Sequence, residues 1–305
     1  MTLAFLFPGQ GSQAVGMGKG FVDAHPLARD LFAEANDALG FDLKTLCLEG
    51  PEDTLGLTQN AQPAILTVSV IAQRLLAQSA NAAPRMVAGH SLGEYSALVA
   101  AGVLSFSDAV KAVHQRGKFM QQATPVGVGA MAAVLGMEGP ELEALCAEEA
   151  KGQVVGPANF NAPGQIVISG HTQAVERVLA RAKGKMLAVS APFHSPLMAP
   201  AAQAMEAVLK GISFVDAQCP VVVNVDNRLL NRAGDFLPSL VKQITSPVRW
   251  DTGVRAMAAQ GITTMVELGH GKVLAGLNKR IDKSLTTYNV GDDESLQAVL
   301  KALFS

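Results

Sequence analysis

Short apolar runs alternate along the chain with longer stretches whose apolar positions recur at helical spacing. Leu3–Phe7 is the first such run. It stops at Pro8 and predicts a strand followed by a glycine-rich turn, Pro8-Gly-Gln-Gly-Ser-Gln. Residues 61–78 predict a helix, Met86–Gly89 a strand, and residues 92–101 a helix rich in Ala and Leu. Ser105-Phe-Ser-Asp108 has the form of a capping box and opens a helix predicted to reach about Gln122. Strand followed by helix, repeated, implies a parallel sheet with helices on its faces.

The middle of the chain reads differently. Gly129–Leu135 predicts a strand and residues 140–150 a helix. Two strands follow within 154–170 around the turn Asn161-Ala-Pro-Gly, then a helix over 172–182 and a strand over 185–189. This β-α-β-β-α-β order is the ferredoxin-like pattern. Beyond it the alternation resumes, with helices at 199–209 and 252–260 and strands at 221–225 and 263–268. The expected organisation is a large α/β domain made of 1–125 and 190–305, carrying a small ferredoxin-like domain, 126–189, as an insertion.

Composition narrows the class. The 305 residues are 49% hydrophobic and 16% charged, which excludes a disordered chain. Twenty-four basic and 26 acidic residues leave a formal charge of -2, against a protein built to grip nucleic acid. Cys47, Cys146 and Cys219 are scattered, with no metal-ligand spacing, so free thiols, no metal and a cytoplasmic location are expected. The first residues lack a basic region before their apolar run. The most apolar stretch, 61–77, is broken by Gln62, Thr67, Ser69, Gln73 and Arg74, so no membrane span is expected.

Gly89-His-Ser-Leu-Gly93 matches GxSxG between a predicted strand and a predicted helix. A serine on a sharp turn needs glycines beside it, and a following helix turns backbone N–H groups toward a developing oxyanion. That context makes the large domain α/β-hydrolase-like and Ser91 a candidate nucleophile. Its base must come from six histidines. His194, held between prolines in Ala191-Pro-Phe-His-Ser-Pro, is favoured, with His270 in a glycine-flanked loop as its rival. Arg116 stands beside the apolar stripe of its helix and needs an anion, supplied either by an internal acid or by a substrate carboxylate held bidentately. The loop around Gln10 has neither a dinucleotide nor a Walker pattern. It suits a supplier of N–H donors at the carboxyl ends of parallel strands.

Taken together these segments resemble the malonyl-CoA:acyl-carrier-protein transacylases of bacterial type II fatty-acid synthesis. The resemblance spans essentially the whole chain: Phe7-Pro-Gly-Gln-Gly-Ser-Gln, Gly89-His-Ser-Leu-Gly-Glu-Tyr, Arg116-Gly-Lys-Phe-Met-Gln-Gln, Asn159-Phe-Asn-Ala-Pro-Gly-Gln, Ala191-Pro-Phe-His, Ser246-Pro-Val-Arg-Trp and Glu267-Leu-Gly-His-Gly-Lys. It implies Ser91 as nucleophile, His194 as base, Arg116 as the binder of the malonyl carboxylate, and the N–H groups of Gln10 and Leu92 as oxyanion hole. It further implies that a main-chain carbonyl, at Gln243, orients the histidine. Leu92 and Phe193 match malonyl-selective members, and Asn161 is implied to shape the pocket. Gly269-His-Gly departs from the Gly-Pro-Gly of many relatives, which concerns a turn.

The resemblance also implies malonyl-CoA as substrate, the phosphopantetheine arm of an acyl carrier protein as acceptor, no permanently bound cofactor, and a monomer. An acidic carrier calls for a basic rim, with Lys183, Lys185, Lys279, Arg280 and Lys283 as candidates. The rival readings are a thioesterase or esterase using the same serine and histidine, an acyltransferase of a polyketide synthase or malonate decarboxylase system, and a non-catalytic carrier-docking module.

Overall fold

The computed structural model describes residues 2–189 and 191–305. Its strands are β1 Leu3–Phe7, β2 Met86–Gly89, β3 Gly129–Leu135, β4 Val155–Ala162, β5 Gln165–His171, β6 Gly184–Met186, β7 Val221–Val222, β8 Leu229–Leu230, β9 Val248–Arg249, β10 Thr264–Leu268 and β11 Thr286–Val290. They form two sheets, ordered β11-β10-β1-β2-β7-β8 and β6-β3-β5-β4-β9. In the first, only β8 runs antiparallel to its neighbour. In the second, β6, β3, β5 and β4 are antiparallel and β9 lies parallel to β4. The architecture is mixed α/β with two sheets.

The unbroken apolar run of β1 has a direct cause. Leu3, Phe5 and Phe7 enter the larger core, while Ala4 and Leu6 join a second core with Met86, Ala88, Trp250 and Met265 on the other face. A central parallel strand covered on both faces needs apolar residues at every position. A third core, including Ala132, Val134, Leu142, Ile166, Ile168 and Val175, lies between the second sheet and its helices.

Chain order reverses at β1, whose neighbours are β2 on one side and β10 on the other. In open α/β sheets such a reversal opens a crevice at the carboxyl ends of the strands. The loop holding Gln10 leaves β1 there, and the turn holding Ser91 leaves β2.

Several expected elements are present with shifted ends. The 61–78 helix runs Thr58–Ala80, and the capping box opens Phe106–Gln122, with the Ser105 hydroxyl accepting the Asp108 N–H at 3.1 Å. Two expected strands are shorter. Pairing of 221–225 stops at Val222, because Asn224 turns its side chain to the loop after β2. The strand expected over 185–189 ends at Met186, though the Leu187 N–H still donates to the Met131 carbonyl at 2.9 Å, and Leu187, Ala188 and Val189 line a cavity. The second sheet also takes a strand, β9, from outside 126–189. Among the described residues no helix is long and apolar enough to cross a membrane.

Candidate active site

The turn after β2 is built backbone against backbone. A Cβ on Gly89 would fall 1.9 Å from the carbonyl oxygen of Gly93, and one on Gly93 would fall 2.1 Å from the carbonyl oxygen of Phe7. Only glycine lets the strand end, the turn and the helix Gly93–Ala100 approach this closely. Between them Ser91 sits at φ 51°. A non-glycine residue held there carries a strain of about 1–3 kcal/mol. The turn is tied by the Gly93 N–H to the His90 carbonyl at 2.8 Å and the Glu94 N–H to the Ser91 carbonyl at 3.1 Å.

Ser91 Oγ lies 2.7 Å from His194 Nε2. His194 Nδ1 lies 3.0 Å from the main-chain oxygen of Gln243, which can only accept. The proton therefore sits on Nδ1, and Nε2 accepts from the serine hydroxyl. Burial, reinforced by the charge of Arg116, pushes the His194 pKa down to about 3, so the ring is neutral. His194 too lies at positive φ, 58°.

Arg116 is 1% exposed. Its Nη1 donates to Gln62 Oε1 at 2.9 Å, and its Nη2 donates to Gln243 Oε1 at 2.9 Å and to Ser91 Oγ at 3.1 Å. Its Nε is buried with no partner among the described residues. The guanidinium carbon lies 5.7 Å from the centre of the Tyr95 ring. Among the described residues no carboxylate lies within ion-pair distance of it. The internal ion pair left open by the sequence is thus not formed. Two carboxamides orient the guanidinium without neutralising it, and burial lowers its pKa.

Ser91, His194, Arg116 and Gln62 line a cavity of about 510 Å³ together with Gln10, Leu92, Asn159 and Phe193. Gln10 Nε2 donates to Thr58 Oγ1 at 3.2 Å, which anchors the loop after β1. Among the described residues, no group accepts from the backbone N–H of Gln10 or of Leu92.

Asn161 does not line this cavity. Its Oδ1 lies 2.9 Å from His90 Nε2. The reason is a break in the β4–β5 register between Phe160 and Ala162. The extra residue of such a bulge is turned out of the alternation. Asn159 lines the cavity instead. His270 does not line it either. Of the basic candidates, Arg280 reaches Gln165 Oε1 at 2.6 Å, and the Lys183 carbonyl accepts the Leu135 N–H at 2.8 Å. Because Leu135 pairs with Gln165, both cations sit at the end of the second sheet away from Met131, which lines the cavity.

Three contributors escape the motif reading: Gln62, Asn224 and the side chain of Gln243. Gln62 had a signal, a polar residue beside Pro63 inside a long apolar helix. Asn224 had none, since its role arises from sheet order alone.

Residues 4–295 match the acyl transferase domain family. The malonyl CoA-acyl carrier protein transacylase of Escherichia coli K12 is 47% identical over 304 residues, covering 98% of each chain. The solved structure of that transacylase from Coxiella burnetii superposes with a TM-score of 0.98 at 42% identity, covering 100% of this chain and 98% of that one. A malonyl-transacylase solved in complex with a type II polyketide acyl-carrier protein gives 0.96 at 45% identity, covering 99% and 100%. By both sequence and structure, the chain belongs to the malonyl CoA-acyl carrier protein transacylases of the acyl transferase domain family.

Proposed function

We propose that the chain moves a malonyl group from malonyl-CoA to the phosphopantetheine thiol of an acyl carrier protein, for fatty-acid synthesis, in two steps through a malonyl ester of Ser91. The observation that carries the reading is the buried Arg116, held by two carboxamides beside Ser91 Oγ with no carboxylate within ion-pair distance among the described residues. A carboxylate two bonds from the reacting carbonyl carbon completes that site.

His194 Nε2 takes the proton of Ser91 as Oγ attacks the thioester carbonyl. The backbone N–H groups of Gln10 and Leu92 are assigned to the oxyanion. Each such donor typically supplies about 3–4 kcal/mol of barrier lowering. The intermediate collapses, the C–S bond breaks, and the CoA sulfur leaves with the proton held on His194. The carrier's thiol then gives its proton to His194 and attacks the ester, and Ser91 is regenerated. Gln243 holds the imidazole through its carbonyl, Phe193 walls the acyl pocket, and Asn161 acts on the pocket only through His90. No metal or resident cofactor is assigned a part.

The finer description of the fold belongs to the same reading: a hydrolase-like large domain of 1–125 and 190–305 and a ferredoxin-like small domain of 126–189. The order β6-β3-β5-β4 with antiparallel neighbours supports the second, with β9 as a strand lent across the boundary. The same reading takes the protein as a monomer. The free state of Cys47, Cys146 and Cys219 supports a reducing, cytoplasmic setting. The relative solved with a type II polyketide carrier supports a second reading, in which a polyketide carrier is the acceptor.

The test is intact-mass analysis after malonyl-CoA or acetyl-CoA, with Ser91→Ala as control, followed by holo carrier protein. A malonyl adduct on Ser91 that the carrier discharges and water does not is the expected result. Rapid clearance by water would make the protein a hydrolase.

A further inference from the structure

Asn224 follows β7 and lies beside the turn that carries Ser91. Its Oδ1 accepts the Ser91 N–H at 2.6 Å, and its Nδ2 donates to the Gly89 carbonyl at 2.7 Å. One carboxamide thus holds both sides of the turn, as a neighbouring strand would if β7 continued. Pairing of β2 with β7 stops at Ala88 and Val222, so the side chain takes over where the ladder ends.

Asn224 is itself fixed from two directions. Its own N–H donates to Glu94 Oε2 at 2.8 Å, and its carbonyl accepts the Arg249 N–H at 3.0 Å. Glu94 is buried in the first turn of the helix after Ser91, so the carboxylate returns the restraint to the same turn. Arg249 belongs to β9 and so ties Asn224 to the second sheet. Asn224 is 4% exposed and does not line the cavity.

We propose that Asn224, backed by Glu94, is a positioning residue that holds Ser91 in its left-handed backbone conformation and so keeps Oγ within reach of His194. The proposal rests on Ser91 being the nucleophile of the reading above. A serine at φ 51° relaxes toward the ordinary regions unless its neighbours forbid it. The Ser91 N–H and the Gly89 carbonyl flank His90, where the strand passes into the turn. Both are satisfied by this one side chain, and burying either unpaired is unfavourable. The clamp acts on the orientation of Oγ, and Asn224 itself neither bonds to Arg116 nor lines the cavity.

The experiment compares wild type, Asn224→Ala and Asn224→Asp at a temperature where circular dichroism finds all three folded. Two rates are read: phosphonylation of Ser91 by a small neutral fluorophosphonate, and single-turnover malonylation by malonyl-CoA across its concentration range. Asn224→Ala is expected to lose roughly 10- to 100-fold in both maximal rates, the factor a lost buried hydrogen bond carries. Its half-saturating malonyl-CoA concentration should stay close to wild type. Asn224→Asp keeps the oxygen that accepts from Ser91 and should fall between the two, which keeps the test alive if the alanine variant does not fold. Fluorophosphonate rates equal to wild type in the folded variants would overturn the proposal. So would a loss confined to half-saturation. Wild type that reacts with the phosphonate but never with malonyl-CoA would instead overturn the proposed function, leaving the clamp to be judged on the phosphonate rates.

Discussion

Arg116 Nη2 donates to Ser91 Oγ at 3.1 Å, so the cation that would grip an acyl chain touches the atom that would carry it. That contact sets a short reach. A carboxylate two bonds beyond an ester carbonyl on Ser91 meets the guanidinium, whereas an acetyl group leaves it unpaired. Arg116→Ala should lower malonyl transfer by about 10²- to 10³-fold, the range for losing charge-assisted hydrogen bonds in a buried site. Acetyl transfer should fall less, so the malonyl/acetyl ratio of kcat/KM drops. An unchanged ratio would remove Arg116 from substrate recognition. Arg116→Lys restores the charge but not the fork, and should recover only part of the ratio.

Gly93→Ala should disable the protein through its fold. The added methyl would stand 2.1 Å from the Phe7 carbonyl oxygen, a backbone atom that cannot step aside without dragging β1. A destabilisation of about 3–5 kcal/mol or more is expected. Chemical denaturation against wild type reads it directly.

The pKa of His194 near 3 predicts the acid side of the pH–rate profile. In the free enzyme the imidazole stays neutral from pH 7 down past 5, so kcat/KM for malonyl-CoA should show no histidine limb near 6.5. A tenfold loss per pH unit starting at 6.5 would mean that the ring titrates as an exposed histidine does.

Stability should depend on pH with two opposing signs. Between about 3 and 6.5 the unfolded chain binds a proton at His194 that the folded chain refuses, so this residue's contribution falls as pH falls. Glu94 and Glu267 are pushed up to about 7 by burial. Between 4.5 and 7 the folded chain holds protons there that the unfolded chain releases, so their contribution falls as pH rises. In Glu267→Gln the loss of stability on going from pH 5 to pH 7 should be smaller than in wild type. An equal loss would show that Glu267 does not titrate in that window.

If Lys183 and Arg280, brought to one end of the second sheet, steer an acidic carrier, salt should raise the carrier's KM and leave that of malonyl-CoA nearly unchanged. Lys183→Glu and Arg280→Glu together should remove the salt dependence. A carrier KM indifferent to salt would place docking elsewhere.

Elements bounded by hard punctuation were legible in the sequence. β1 ends at Pro8, β2 at the glycine turn, and β3 at Gly136, and their limits match the apolar runs. The helix Ala233–Thr245 has no counterpart in the pattern reading, because Pro238 interrupts a stripe that otherwise runs Phe236, Leu240, Ile244. β8 and β9 are two residues each, too short for any alternation to register. The site divides in the same way. Ser91, His194 and Arg116 stand in local motifs or odd company, so the three side chains that the fold brings together could be singled out along the chain. Asn224 and the Gln243 carboxamide act across distances of more than 100 residues, through partners that only sheet order brings together. Asn161, implied by the resemblance alone, meets the cavity lining through His90, because the bulge turns it out of the alternation that Asn159 follows.

The positive φ angles of Ser91 and His194 set stability against activity. Both positions would suit glycine better than the residues they hold. Ser91→Gly should therefore melt at a temperature equal to or above that of wild type while transferring nothing. A population of variants selected for heat resistance alone would drift toward glycine at the two residues proposed to do the chemistry. On the proposed function, what keeps a serine and a histidine there is the reaction, at the expense of the fold.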